Sequence, residues 1–389
     1  MSGALPLLLI VAAALLTAAA CGRWIGIPAG SDRLARIDGL RGYLALFVFV
    51  HHGRIWYDYL HSGRWEAPAS NLYTHLGQSS VALFFMITGF LFFGRVLAGR
   101  ERPIDWRRLA LSRVMRLAPL YFSVLALLCI AIWLLSAGEL KVPAGQLAGD
   151  VLRWASFTVA GAPDLNQFGD TWRITAGVTW SLPYEWLFYA SLPLQALVLR
   201  ARVSPAAVLV GGVLLASILT VFQPLRFYLL TFACGMLAAG LARSARWRAV
   251  AERPLAGLLA LACLTLLVLA FPTLYDWWAL ALLGIAFCLI AGGNDLFGLL
   301  RWRPSVLLGE ISYSVYLLHG IVLFTLFHGI VGIDAAAAWS PLSYTAVVVA
   351  LTPALIALCT LSFIAIERPG IRATDRILRP RRAACVSPG

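Results

Sequence analysis

An acid, an arginine and two histidines lie along one apolar segment, Asp38 to His52, and could together carry out proton transfer. In a helix with 3.6 residues per turn, Arg41 and His52 share one face, roughly 20° off alignment and about 16 Å apart along the axis. His51 lies about 80° away from that line, so the geometry selects His52 as the partner of Arg41. Ionisable side chains at membrane depth normally face a protein interior or a water-filled cavity. The segment therefore indicates a reaction path along a membrane helix.

A second cluster, Trp180 to Tyr189, begins another helix and contains Glu185. Pro183 falls near the first turn, where a missing N–H is tolerated. Glu185 is then expected about one turn into the membrane, at the same depth as His52. A carboxylate there can orient an imidazole, accept its proton, or cap the start of its own helix.

A third cluster places Arg113 and Arg116 three residues apart, followed by Pro119 and Tyr121. Two arginines at this spacing share a helix face and can grip a phosphate. The alternative is ordinary anchoring of the helix end by positive charge, and the sequence leaves both interpretations open.

A fourth cluster places Ser312, Tyr316 and His319 at positions i, i+4 and i+7, which is one polar stripe on an otherwise apolar helix. Such a stripe lines a cavity or hydrogen-bonds neighbouring helices. The remaining histidines, His61, His75 and His328, fall in or near connections and are interpreted as bystanders.

The elements that position these clusters are predicted to be membrane helices. The 389 residues are 61% hydrophobic and only 13% charged, far from the profile of a soluble protein. Apolar stretches near the spanning length of about 20 residues recur, without strand-like alternation. We predict an all-α polytopic bundle with about ten core spans, near residues 37–57, 79–97, 115–136, 180–199, 205–222, 225–241, 255–271, 276–291, 311–330 and 343–366.

Arginine placement predicts the orientation of this bundle. Connections rich in arginine alternate with connections that are poor in it, and the rich ones are expected in the cytoplasm. They are residues 95–116, 200–202, 243–253 and 301–303, with the tail 372–382. We therefore expect an integral protein of the inner cell membrane with a cytoplasmic C-terminus.

The first 21 residues are apolar but lack the preceding basic residue of a secretory signal. We expect an additional, uncleaved N-terminal helix, with a cleaved leader or a lipid-modified Cys21 as alternatives. The predicted domains are an apolar helix with a basic linker (1–32), the membrane domain (33–369) and a basic cytoplasmic tail (370–389).

Two classes of partner are not expected. The surplus of 31 basic over 18 acidic residues follows from the membrane topology, and no nucleic-acid-binding motif accompanies it. The cysteines are scattered through apolar stretches with neither metal-ligand spacing nor a disulfide framework. We therefore expect that the protein binds no metal. We also expect that a lipid bilayer surrounds it.

Taken together, the clusters resemble the acyltransferase 3 family of integral membrane O-acyltransferases. The family has an Arg, ten residues and a His on its first conserved helix, and then four further motifs in a fixed order. This chain has matches in that order: Arg41 with His52, Phe84 to Phe90, Arg113 with Arg116, Trp180 to Glu185, and Ser312 to His319. One such motif alone is weak, whereas five in order are specific.

The chain departs from the family pattern in a few positions. Thr88 replaces a Ser in the aromatic motif, while Pro183 and Trp186 stand where the family often has a Ser and a second acid. These differences bear on how the acceptor is contacted. Some members carry a fused esterase-like domain, and we expect an acyltransferase domain alone here.

The resemblance implies transfer of an acyl group, usually acetyl, from cytoplasmic acyl-coenzyme A to a hydroxyl, often on a sugar. The implied base is His52, helped by Glu185, and Arg41 with Asp38 guides the pantetheine arm. Direct transfer and a transient acyl-histidine both remain open. The candidate residues for holding the coenzyme A are Arg113, Arg116, Tyr121, Tyr316 and His319.

The acceptor could be a cell-surface glycan, a lipid-linked sugar or a glycosylated metabolite, so polysaccharide O-acetylation is one expected role. The main alternative is a transporter or flippase for a small solute or lipid-linked glycan. Polar residues at membrane depth suit both classes, although no internal repeat typical of many carriers is visible.

Overall fold

The computed structural model describes residues 3–25, 32–100, 103–200 and 223–378. Helices make up the architecture, and these ranges contain no β-strand. The predicted all-α class is therefore confirmed. The predicted span 205–222 and most of the basic tail lie outside the described residues.

The helices, numbered in chain order, have the following bounds. They are α1 (Leu5–Ile25), α2 (Asp32–Ser62), α3 (Asn71–Ala98), α4 (Trp106–Leu135), α5 (Ala144–Ala155), α6 (Leu182–Arg200), α7 (Gln223–Leu241), α8 (Ala245–Ala251), α9 (Pro254–Ala270), α10 (Trp277–Gly292), α11 (Arg303–Glu310), α12 (Ser312–Phe324), α13 (Ile333–Ala337), α14 (Pro341–Ser362) and α15 (Arg368–Ile377). Short 3₁₀ turns cover Thr171–Thr175, Val178–Ser181 and Leu299–Arg301, and π-helical turns extend α12 and α14.

Every predicted span that falls within the described residues coincides with a helix. Five stretches are long and apolar enough to cross a membrane: Leu5–Trp24, Asn71–Ala98, Trp106–Leu135, Ser312–Ile330 and Pro341–Thr374. Helices α7 and α8 are joined by a bend of 108°, and α9 and α10 are shorter apolar helices. Together these features describe an integral membrane protein.

Helix α2 holds the centre of the bundle, packed against α3, α11 and α12. Its first turns approach α11 so closely that a side chain at Gly309 would overlap the backbone. A Cβ there would lie 2.0 Å from the carbonyl oxygen of Asp38. The glycine therefore lets α11 fix the position of Asp38 and, one turn later, of Arg41.

Helix α3 makes its most extensive contact with α7. The segment Phe84 to Phe90 has one hydroxyl and one glycine within an aromatic helix, a pattern that by itself predicts close helix packing, and Gly89 does lie at a close approach. A Cβ on Gly89 would lie 2.4 Å from the carbonyl oxygen of Phe232. Small residues of this kind commonly allow membrane helices to approach each other.

The N-terminal helix α1 packs on α11 and α14. The predicted extra helix is thus present and contacts the bundle. The retention of this helix in the mature protein stays a prediction. The domain boundaries near residues 33 and 369 stay predictions as well.

Candidate active site

Two histidines from different helices meet in the interior of the bundle. His52 of α2 and His319 of α12 place Nδ1 and Nε2, respectively, 3.0 Å apart. His319 is fully buried, and its ring centroid lies 5.0 Å from that of His52. The two polar stripes recognised in the sequence therefore face each other.

The hydrogen-bond partners assign the tautomers of the neutral pair. His319 Nδ1 lies 2.8 Å from the carbonyl oxygen of Val315, which can only accept, so this nitrogen carries the proton. His319 Nε2 is then an acceptor, and His52 Nδ1 must be the donor. A second carbonyl, that of Val48, lies 3.0 Å from the same His52 nitrogen. His52 Nε2 is consequently left unprotonated and able to take a proton.

His51 has a different environment. Its Nδ1 lies 2.7 Å from the carbonyl oxygen of Tyr73 on α3. Its ring occupies the space that a side chain at Gly77 would fill, 2.5 Å from an ideal Cβ. His51 thus ties α2 to α3, while in the His52–His319 pair the acceptor nitrogen not used by the partner histidine is Nε2 of His52.

Arginines and acids gather where α2 begins. Arg41 Nη1 and Asp38 Oδ1 form an ion pair of 3.1 Å. Arg116 of α4 interacts electrostatically with Arg41, Arg113 and two acids, Glu310 and Glu367. The term arginine cluster is used below for Arg41, Arg113 and Arg116.

Glu367 is an acidic neighbour of the arginine cluster. It is fully buried and accepts a hydrogen bond from Ser314 of α12. Within the part of the chain that the structure describes, its second oxygen, Oε2, has no hydrogen-bond partner. Burying a carboxylate is costly unless positive charge is near, which the electrostatic interaction with Arg116 supplies.

Glu185 lies with the arginines. Thr88 of α3 donates a hydrogen bond of 3.2 Å to its carboxylate, and Arg41, Arg113 and Arg116 are its charged neighbours. This hydrogen bond links the carboxylate of Glu185 on α6 to α3. The help that the sequence suggests Glu185 gives to His52 stays a prediction.

Two tyrosines from the motifs hold backbone segments in place. The Tyr121 hydroxyl donates to the carbonyl of Trp154 at 2.6 Å, which ties α4 to α5. The Tyr316 hydroxyl donates to the carbonyl of Val178 at 3.0 Å and lies 2.9 Å from Ser181 Oγ. The turn Val178–Ser181, which leads into Glu185, is thereby positioned by the helix that carries His319.

A cavity of about 230 Å³ opens beside the histidine pair. His51, His52 and Tyr316 line it on one side. Aromatic side chains continue its wall, among them Trp180 and Tyr275, which are 40% and 46% exposed. Both alternatives for the α12 stripe are thus realised, because Tyr316 lines a cavity and His319 bonds a neighbouring helix.

Sequence reasoning missed several residues of this cavity. Gln78, Tyr228 and Tyr275 lie in its wall but belong to no motif. Aromatic residues near helix ends were a weak signal for them, since membrane-interface belts have the same composition. Their place became visible only from the packing of α3, α7 and the connection before α10.

His75 is also more than a bystander. It is buried and donates from Nε2 to the carbonyl of Phe271 at 2.8 Å, while Nδ1 lies 2.9 Å from Ser79 Oγ. One turn later, Gln78 Oε1 accepts a bond of 2.9 Å from the Leu274 N–H. Together they pin the connection 271–276, which supplies Leu274 and Tyr275 to the cavity.

Comparison with protein families assigns the chain. The profile of the acyltransferase 3 family, described as an acyltransferase domain, matches residues 34–363. The chain belongs to the acyltransferase 3 family. Searches of curated proteins and of solved structures each found no match.

The family match extends over all the dispersed motifs. It runs from the start of α2 into the π-helical end of α14, so it includes both histidines and the arginine cluster. This family member is a membrane acyltransferase, with an arginine-lined region and a histidine-lined cavity in one helical bundle.

Proposed function

We propose that the protein is an O-acyltransferase that moves an acyl group, usually acetyl, from acyl-coenzyme A to a hydroxyl of a carbohydrate or glycosylated acceptor. The observation that carries this proposal is the hydrogen-bonded pair His52–His319 beside a cavity. Its bonds leave His52 Nε2 as a proton acceptor in a site that an acceptor molecule could enter.

The arginine cluster is proposed to hold the coenzyme A. Arg113 is half-buried, and its Nε has no hydrogen-bond partner among the described residues. An orphaned buried donor beside Arg116 suits an anionic ligand, because arginine pairs with phosphate oxygens through several N–H groups. Arg41 and Asp38 would then lie along the route from the phosphates towards His52.

The distance along α2 separates the two halves of the reaction. Arg41 and His52 lie about 16 Å apart along the helix axis. The extended pantetheine arm of coenzyme A is suited to such a gap. With the arginine-rich end in the cytoplasm, the donor enters from inside and the acceptor is modified nearer the outer face of the inner membrane.

The proposed proton steps use His52 alone. A thioester supplies an activated carbonyl carbon and a sulfur leaving group. His52 Nε2 removes the proton from the acceptor hydroxyl as its oxygen attacks that carbon. The same nitrogen returns the proton to the sulfur when the C–S bond breaks. An acyl-histidine route would use the same lone pair as nucleophile.

His319 is proposed to act as a positioning residue in this scheme. Its Nε2 accepts from His52 Nδ1, which holds the ring orientation and keeps Nε2 free. When His52 becomes an imidazolium, the same contact becomes a charge-assisted hydrogen bond. This role replaces the contact with coenzyme A that the sequence suggested for His319.

One experiment tests the function against the transporter alternative. Purified protein in detergent, with acetyl-coenzyme A and a sugar acceptor, is expected to release free coenzyme A and form an O-acyl sugar. A carrier would do neither in the absence of two compartments. Lack of both products under conditions where the protein remains folded would contradict the proposal.

A further inference from the structure

The position, lining, charge and volume of the cavity beside His52 indicate which kind of molecule it suits. It lies away from the arginine cluster along both α2 and α3. On α2 the lining residues are Val48, His51 and His52, whereas Arg41 lies about two to three turns earlier. On α3 they are Gly77, Gln78, Val81 and Ala82, whereas Thr88, the partner of Glu185, comes later.

Aromatic rings form a continuous wall from the cavity to the surface. The ring centroids of Trp180 and Tyr228 are 4.9 Å apart, and the hydroxyls of Tyr228 and Tyr275 are 3.1 Å apart. Trp180 and Tyr275 are both partly exposed. Flat aromatic walls with a few hydroxyl and amide groups suit the apolar C–H face and polar edge of a pyranose ring.

The charge of the lining residues and the volume of the cavity further restrict which molecules fit it. Among the described lining residues there is no Asp, Glu, Lys or Arg, and the polar groups include Gln78, Thr231 and the tyrosine hydroxyls. Because a buried charge needs a partner, this lining disfavours phosphorylated or carboxylated sugars. The volume of about 230 Å³ is below the roughly 300–1,000 Å³ of pockets that enclose drug-sized ligands.

We infer that this cavity is the acceptor subsite and that it takes one neutral sugar ring, which packs against the side chains of Trp180, Tyr228 and Tyr275. The inference rests on the proposed function. One hydroxyl of the ring meets His52 Nε2, while the rest of the acceptor extends outwards past Trp180 and Tyr275. The connection 271–276, pinned by His75 and Gln78, holds Tyr275 in this wall.

The strongest rival occupant is the acyl chain of the donor, because Val48, Val81 and Leu280 give the cavity an apolar part. The two occupants predict different kinetics. An acceptor subsite controls the KM of the sugar and leaves the donor unaffected. An acyl pocket controls which acyl chain length is transferred.

The test uses purified protein, acetyl-coenzyme A and a panel of methyl hexopyranosides, with the matching 6-phosphates and uronates. The variants Trp180→Ala and Tyr275→Ala are expected to raise the KM of the neutral glycoside on the order of tenfold each. The KM of acetyl-coenzyme A is expected to change much less than the KM of the glycoside. Trp278→Ala is the matched control, because Trp278 is 75% exposed and does not line the cavity.

The outcomes separate the inference from the proposed function. If wild-type protein neither hydrolyses acetyl-coenzyme A nor transfers its acyl group, the proposed function fails. Transfer without any effect of the variants on the sugar KM overturns the acceptor subsite. So does a changed preference between acetyl and longer acyl donors, or failure of every neutral glycoside as acceptor. Should an alanine variant misfold, Trp180→Phe and Tyr275→Phe are expected to give smaller changes of the same sign.

Discussion

His52 and His319 are 267 residues apart in the chain, yet their nearest ring nitrogens lie 3.0 Å apart. His319 is held from the other side by the carbonyl of Val315. This order of bonds uses the lone pair of His319 Nε2 and leaves the unprotonated Nε2 of His52 as the nitrogen of the pair that can accept a further proton. The relationship therefore distinguishes the base from the residue that positions it.

Replacing His52 by alanine is expected to lower kcat by about 10²- to 10⁴-fold, because the hydroxyl loses its proton acceptor. His61→Ala is the control on the same helix, since His61 is exposed and its Nδ1 bonds the carbonyl of Tyr57. Release of coenzyme A by purified, folded protein measures both. Activity of the His52 variant within a few-fold of wild type would sink the assignment.

Replacing His319 by alanine is expected to lower kcat about tenfold to a hundredfold. The loss is smaller than at His52, because the Val48 carbonyl still accepts from His52 Nδ1. His319→Gln should recover part of kcat, since its amide oxygen can accept the same bond. The KM of acyl-coenzyme A is expected to stay constant. A raised KM with normal kcat would show instead that His319 contacts the donor.

Replacing Arg116 by alanine is expected to raise the KM of acyl-coenzyme A about tenfold or more, because a charge-assisted hydrogen bond to phosphate is lost. Arg116→Lys should recover only part, since lysine lacks the planar fork of donors. The exposed Arg107 on the same helix gives the matched control, Arg107→Ala. Equal KM values for the Arg116 and Arg107 variants would rule out donor binding by Arg116.

Replacing Glu185 by glutamine keeps an acceptor for Thr88 and removes one negative charge beside the arginine cluster. The anionic donor should then bind more tightly, so we expect a lower KM for acyl-coenzyme A and a small change in kcat. Steady-state kinetics measure both. A loss of kcat as large as that of His52→Ala would instead support direct assistance to His52.

Replacing Gly309 by alanine is expected to destabilise the protein by about 1–3 kcal/mol, because the new methyl group meets the backbone of Asp38. The shift of α2 should also raise the KM of acyl-coenzyme A through Arg41. Gly94→Ala on α3 is the control, since no described atom outside the adjoining backbone of its own helix lies within 4 Å of its Cβ position. Thermal unfolding in detergent compares them, and equal midpoints would contradict the close approach.

Local pattern was sufficient to predict the helices and the faces they present. Apolar stretches of spanning length located the helices, and the 3.6-residue period placed Arg41 and His52 on one face of α2. The glycine in the aromatic motif indicated close packing, which Gly89 provides against α7. These properties depend on neighbours in the chain, so the sequence alone determines them.

The tertiary structure decided which polar groups meet. Equal depth in the membrane suggested that Glu185 assists His52, which stays a prediction, whereas only the packing shows that its carboxylate lies beside Thr88 and the arginines. The pairing of His52 with His319, the clamp at His75 and the aromatic wall of the cavity likewise come from packing. Periodicity determines the face of a helix that carries a residue, whereas the packing of the whole bundle determines which other helix lies opposite that face.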